Sequence, residues 1–154
     1  MSFRVAGLDP KLFGDLHGLS DPDLAARGIQ RIRVERKPDA PCRISLDDAE
    51  IGEAVLLLNY DHQPADTPYR QQGPIFVSQT VARFDAADVI PPALAVRPLS
   101  LRGFDANHMM IEADIVDGVN AAELVERFFA NPEVSYIHAH YARRGCYAAR
   151  FDRA

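Results

Sequence analysis

Residues 54–60 read AVLLLNY, and no other stretch limits the fold as strongly. Its apolar positions are consecutive, without the polar residue each turn of a surface helix needs, and the run is too short for a buried helix. It is therefore expected to be a strand buried on both faces, central in a sheet. The run then changes character, continuing as LNYDHQPADTPYRQQGPIF to Phe76. Asn59, Asp61, His62, Asp66, Tyr69 and Arg70 fall close together there, and Pro64, Pro68 and Pro74 each fix one φ angle and remove one donor. A stiff polar loop leaving a buried strand can hold binding groups in one geometry while keeping them reachable.

Around this centre the chain alternates. Phe3 to Ala6 is a strand candidate, and Asp9-Pro10 and Ser20-Asp21-Pro22 are helix starts, the second helix stopping at Gly28. Ile32 and Val34 interleave with charged residues, as in a half-exposed strand, and PCRISL (Pro41 to Leu46) reads as another. PIFVSQ is a strand and DAADVIPPAL a proline-broken connection. PLSLRGFD and HMMIEADIV flank the turn formers Asp105-Ala106-Asn107 as a hairpin. NAAELVERFFANP is the best helix, with Asn120 placed to cap it and Leu124, Val125, Phe128 and Phe129 on one face. VSYIHAHY and CYAARFD end the chain as strands. The hairpin's second strand, this helix and the Val134 strand are spaced to form one βαβ unit. The fold class is α+β: a single domain, 1–154, with a mainly antiparallel twisted sheet and three short helices.

Composition excludes several functions. A net charge of −5 argues against a nucleic-acid footprint. Of 17 basic residues only Lys11 and Lys37 are lysines, a bias that lowers the weight of any single arginine. No window approaches the ~20 apolar residues of a membrane span, and the N-terminus lacks a secretion-signal layout, so a cytoplasmic protein is expected. Cys42 and Cys146 then read as free thiols. A homo-oligomer stays open.

The segments PCRISLDDAEIGE, LLLNYDHQPADTPYRQQGPIFV, LRGFDANHMMIEADIV and HAHYARRGCYAARFDR together resemble the bacterial family known as domain of unknown function 1203. The resemblance runs along nearly the whole chain. It implies no activity, substrate or cofactor, so site residues must come from their own chemistry.

Strand alternation points Tyr136, His138 and His140 to one face, with Ile137, Ala139 and Tyr141 on the other. Two imidazoles at i and i+2, about 7 Å apart, can reach one cation or one anion. A His-x-His pair is weak evidence for metal, and no metal or cofactor is favoured. A metal would need a third ligand, with His62 the natural candidate and Asp61 or Asp114 as carboxylate options. His108 belongs to a hairpin turn and His17 to a helix end. Cys42 shares a face with Ile44 and Leu46 and reads as core. Cys146 follows two arginines and a glycine, so adjacent charge and neighbouring histidines make it a candidate nucleophile.

Three functional readings follow. In one, the Asn59 to Arg70 loop and the C-terminal hairpin form a pocket for a small anionic ligand, using Asn59, Asp61, His62, Tyr69, Arg70, Arg43, Tyr136, His138 and His140. In the second the pocket is catalytic, through His62, His138 or His140 as proton carrier or through the Cys146 thiol. In the third the polar groups are internal braces and function lies in a protein–protein surface.

Overall fold

Short apolar runs joined by tight turns favour antiparallel pairing, and the computed structural model, which describes residues 2–79 and 81–154, consists largely of it. In chain order the elements begin with β1 (Phe3–Ala6), α1 (Asp21–Ala26), β2 (Gln30–Arg33), β3 (Ala54–Gln63) and β4 (Gln71–Ser78). They continue with β5 (Asp85–Ala87), α2 (Pro92–Ala95), β6 (Pro98–Phe104), β7 (Met110–Asp117), α3 (Ala121–Ala130), β8 (Tyr136–Tyr141) and β9 (Tyr147–Arg153). A six-stranded sheet has the order β5-β1-β9-β8-β6-β7, and a three-stranded sheet the order β2-β3-β4. The mainly antiparallel α+β class holds, and no helix is long and apolar enough to cross a membrane.

The apolar stripe of α3 explains the main core. Leu124, Val125, Phe128 and Phe129 pack with Leu99, Leu101, Ile137, Ala139 and Phe151 from the large sheet. One face of β8 is thereby committed to the core, which leaves its alternate residues to face the other way. β7 and β8 are each antiparallel to β6, so they run parallel to one another with β6 between them. The anticipated βαβ passage exists, but its strands are not neighbours.

Five local expectations change. PCRISL is not a strand: it holds only the isolated bridges Pro41↔Asp48 and Cys42↔Phe76 around a turn, with Leu46 at φ 53°. The turn is closed by the Leu46 amide donating to the Cys42 carbonyl, at 3.0 Å. The proline-broken connection contains β5 and α2, because the edge of β1 recruits Asp85–Ala87. The first expected helix is two 3-10 turns, Pro10–Phe13 and Leu16–Gly18. Asn120 ends a 3-10 turn, with no side-chain cap bond to α3. Finally, β3 runs on through Asp61, His62 and Gln63, so the start of the expected loop is strand.

The continuation of β3 contains a bulge. Tyr60 pairs with Gly73 and Gln63 with Gln71, so one extra residue is inserted on β3 and the alternation slips. His62 and Gln63 are consequently both buried. A second irregularity lies in β9, between the pairs Ala139↔Ala149 and His140↔Tyr147. It separates Tyr147 from Phe151, which regular alternation places on one core-like face. Phe151 enters the core, while Tyr147 turns towards the histidines of β8.

Candidate functional site

The two bulges meet. The β3 irregularity turns His62 onto the face of the large sheet that β8 presents through His138 and His140, and Tyr147 stacks on His62 with ring centroids 5.3 Å apart. The His62 ring lies 4.9 Å from that of His140 and 6.1 Å from that of His138. One ring nitrogen from each of the three lies within 4.8 Å of the others. All three side chains are buried, His140 at 1% exposure.

Each imidazole is held neutral. Burial, joined by the Arg102 charge, lowers His62 to about 4. Burial and the neighbouring His140 and His62 bring His138 to about 3. Burial brings His140 to about 3 against a partly compensating backbone hydrogen bond. That bond has a further consequence. The His140 Nδ1–H donates to the Gly145 carbonyl at 2.9 Å, leaving Nε2 as a lone-pair donor. Nδ1 of His62 and Nδ1 of His138 are buried without a hydrogen-bond partner. Burying a polar atom unsatisfied is costly, which marks both as places where a ligand atom would lower the energy.

A cavity of about 260 Å³ opens onto the cluster, walled by Tyr69, Arg70, Gln71, Arg102 and Phe104. Arg102 Nη1 donates to Gln71 Oε1 at 3.1 Å and lies 3.4 Å from His140 Nε2. A neighbouring concavity of about 270 Å³ reaches His62 and His138 from the side of Tyr136, His108 and Arg150. There Tyr136 is braced, its hydroxyl accepting from Gln63 Nε2 at 2.9 Å and lying 2.7 Å from His108 Nδ1, with Arg150 4.2 Å from its ring centroid.

The sequence candidates are therefore divided in space. His62, Tyr69, Arg70, His138 and His140 line one cavity, with Tyr136 just beside it. Asn59 donates to Gln72 on the exposed side of the hairpin, and Asp61 borders a shallow concavity with Arg70. Asp114 of β7 pairs with Arg127 of α3 and lines neither cavity that reaches the histidines. Arg43 and Cys146 lie elsewhere: they line a separate cavity of about 210 Å³ with Tyr141 and Arg97. Cys42 is core, as its spacing suggests. Arg102, Gln71 and Tyr147 escaped sequence reasoning. Arg102 carried a signal, since it follows core-facing Leu101 in β6 and so points to the opposite face, which its register partner His138 shares.

A family model matches residues 39–153, more than half of the chain, and is described as a protein of unknown function, DUF1203. No curated protein and no solved structure matches the chain.

Proposed function

The chain belongs to the DUF1203 family, whose description assigns no activity, and we propose from its geometry that it binds a small anionic ligand at a divalent metal held by His62, His138 and His140. The carrying observation is that three neutral, buried imidazoles bring one ring nitrogen each to within 4.8 Å of the others. Three nitrogen ligands with a fourth position left open is the donor set of zinc sites that bind water or substrate. Zinc–nitrogen bonds of about 2.0 Å space tetrahedral ligand atoms about 3.3 Å apart. Closing from the observed spacing to that value shortens a ligand–ligand distance by at most about 1.5 Å.

Charge supports the anion. A dication beside Arg102, with Arg70 at the rim, leaves the site positive, since among the described residues no carboxylate joins the wall of that cavity. An oxyanion in the open position would contact metal and guanidinium together, the charge-assisted pairing that fixes carboxylates and phosphates. Tyr69 and Phe104, 6.4 Å apart edge-to-face, offer an apolar wall for the rest of the molecule. Histidine acid/base chemistry is less well supported, because imidazoles lowered to about 3 or 4 hold almost no proton to donate at neutral pH. Thiol chemistry in this pocket is less supported too, because Cys146 lines the other cavity.

The test is titration of chelator-stripped, tag-free protein with cobalt(II) and zinc(II). One equivalent of cobalt should give the intense visible bands of a four-coordinate centre, and adding phosphate or acetate should shift them. In Arg70→Ala the bands should persist while the anion response weakens. Binding that survives His62→Ala unchanged, or a spectrum no different from aqueous cobalt, would remove the proposal. Zinc at 100 times its dissociation constant should stabilise the fold by about 2.7 kcal/mol.

A further inference from the structure

A second cavity, lined by arginines and apolar side chains, contains a buried charge that no ion pair neutralises among the described residues. Arg43 is 1% exposed. Its Nε–H donates to the Tyr147 carbonyl at 2.7 Å, one terminal nitrogen to the Pro41 carbonyl, and the other to Cys146 Sγ at 3.2 Å. Among the described residues no carboxylate forms an ion pair with it. A guanidinium removed from water without an anion bears a large desolvation cost, which neutral carbonyls and a thiol offset only in part.

Everything around Arg43 adds to the imbalance. Tyr141 lies between two guanidinium groups, with Arg43 5.0 Å and Arg97 5.2 Å from its ring centroid. Its hydroxyl is buried without a hydrogen-bond partner, although Tyr141 lines the cavity and is only 5% exposed. Arg143 and Arg144 stand exposed at the rim. Against these four arginines, the carboxylates among the described residues are Asp48, already engaged by Arg97 at 2.5 and 2.9 Å, and Asp39 in the wall, 3.9 Å from Arg36. The remaining wall is apolar, formed by Pro38, Pro41, Phe76 and Pro98.

We propose that this cavity of about 210 Å³ binds a small organic oxyanion, a carboxylate or phosphate monoester, between Arg43, Tyr141 and the Arg143-Arg144 turn. The oxyanion supplies the counter-charge that Arg43 lacks and the acceptor that the Tyr141 hydroxyl lacks, while its organic part lies on the proline and phenylalanine wall. The turn links the two sites. Gly145, whose carbonyl orients His140, separates Arg144 from Cys146, so an anion drawn onto Arg143 and Arg144 bears on the backbone that sets the His140 tautomer. The proposal does not depend on the metal.

Cys146 reports on occupancy. Alkylation by iodoacetamide, followed by intact mass and peptide mapping, should be slowed saturably by phenyl phosphate or benzoate, with inorganic phosphate comparing the anion alone. Arg143→Ala/Arg144→Ala should raise the half-protecting concentration roughly tenfold, as expected for losing charge-assisted contacts. Tyr141→Phe should raise it severalfold, and Arg70→Ala should leave it unchanged. Because the double variant alters only exposed residues, it should fold. Calorimetric titration with phenyl phosphate makes the same comparison if labelling is too slow to follow. The proposal is overturned if none of the three probes binds, if binding ignores the double arginine change, or if Arg70→Ala abolishes it and so moves the anion to the histidine cavity.

Discussion

Acidifying the metal-free protein should unfold it in a window set by three histidines. In the unfolded chain an imidazole titrates near ~6.5. In the fold His138 and His140 are lowered to about 3 and His62 to about 4, chiefly by burial. Between these values and 6.5 the unfolded chain binds the additional protons, so stability rises with pH. The contribution is fully present above the unfolded value and is lost as pH falls towards the folded values. At pH 5 each of His138 and His140 has forfeited about 2 kcal/mol relative to pH 7, and His62, nearer the cavity mouth, somewhat less. The total of roughly 5 kcal/mol is comparable with the whole stability of an ordinary domain. Carboxylates held low in the fold, Asp85 by its hydrogen bond from Arg4 and Asp114 by the Ile115 amide and then Arg127, lose their stabilisation only below about pH 4 to 5. The interval from pH 7 to 5 therefore isolates the histidines, with a smaller addition from His17, which burial also lowers.

The assay is urea unfolding of chelator-treated protein at closely spaced pH values, with the urea dependence checked for constancy. The free energy should fall with a slope approaching three protons near pH 5, and His62→Gln should remove about one of them. Saturating zinc should raise the curve at every pH above about 4, since metal binds only the neutral rings and the fold keeps them neutral to that point. A change below about 2 kcal/mol between pH 7 and pH 5 would refute the placement of these rings in a dry, neutral cluster.

Two further perturbations test the frame that holds the sites. Asp48→Ala strands Arg97 in a nearly closed position and should cost about 3 to 5 kcal/mol in thermal or urea unfolding. Combining it with Arg97→Met should recover much of that loss; no recovery would mean that the pair contributes more than mutual neutralisation. A Cβ at Gly118 would sit 1.8 Å from the Leu94 carbonyl oxygen, which is backbone and cannot rotate away. Gly118→Ala should therefore separate α2 from the turn before α3 and lower stability by about 3 kcal/mol or more, whereas an unchanged melting temperature would place that carbonyl elsewhere.

The hairpin of β6 and β7, helix α3 and the double-sided burial around Val55 to Leu58 could all be read from the chain, because each is a local pattern with a single period. The pairings of β1 could not. Its partners, β9 and β5, lie at the far end of the chain and in a segment whose prolines hide three paired residues. PCRISL misled for a related reason. Its apolar residues Cys42 and Ile44 are buried with no ladder to join, since the Arg43 amide donates to the Phe76 carbonyl and holds the segment as a turn beside β4.

At the site itself, alternation brings two of the three clustered histidines to one face and gives no direction for the third. Tyr136, His138 and His140 lie in a regular part of β8, so their common face was legible. His62 and Tyr147 follow bulges, and a bulge breaks the rule that links sequence position to side-chain direction. Had β3 kept its register, no additional residue would have separated Tyr60 from Gln63, and the buried pair His62 and Gln63 would have faced opposite sides of the sheet. In the fold Gln63 braces Tyr136 while His62 closes the triad, both directed at one region of the neighbouring sheet. The two irregularities thus have the same effect from opposite sheets: each turns an aromatic side chain out of its regular phase into the space between them. Bulges cost ladder hydrogen bonds, and two of them converging on three buried imidazoles are irregularities of the kind that re-aim side chains beside functional sites.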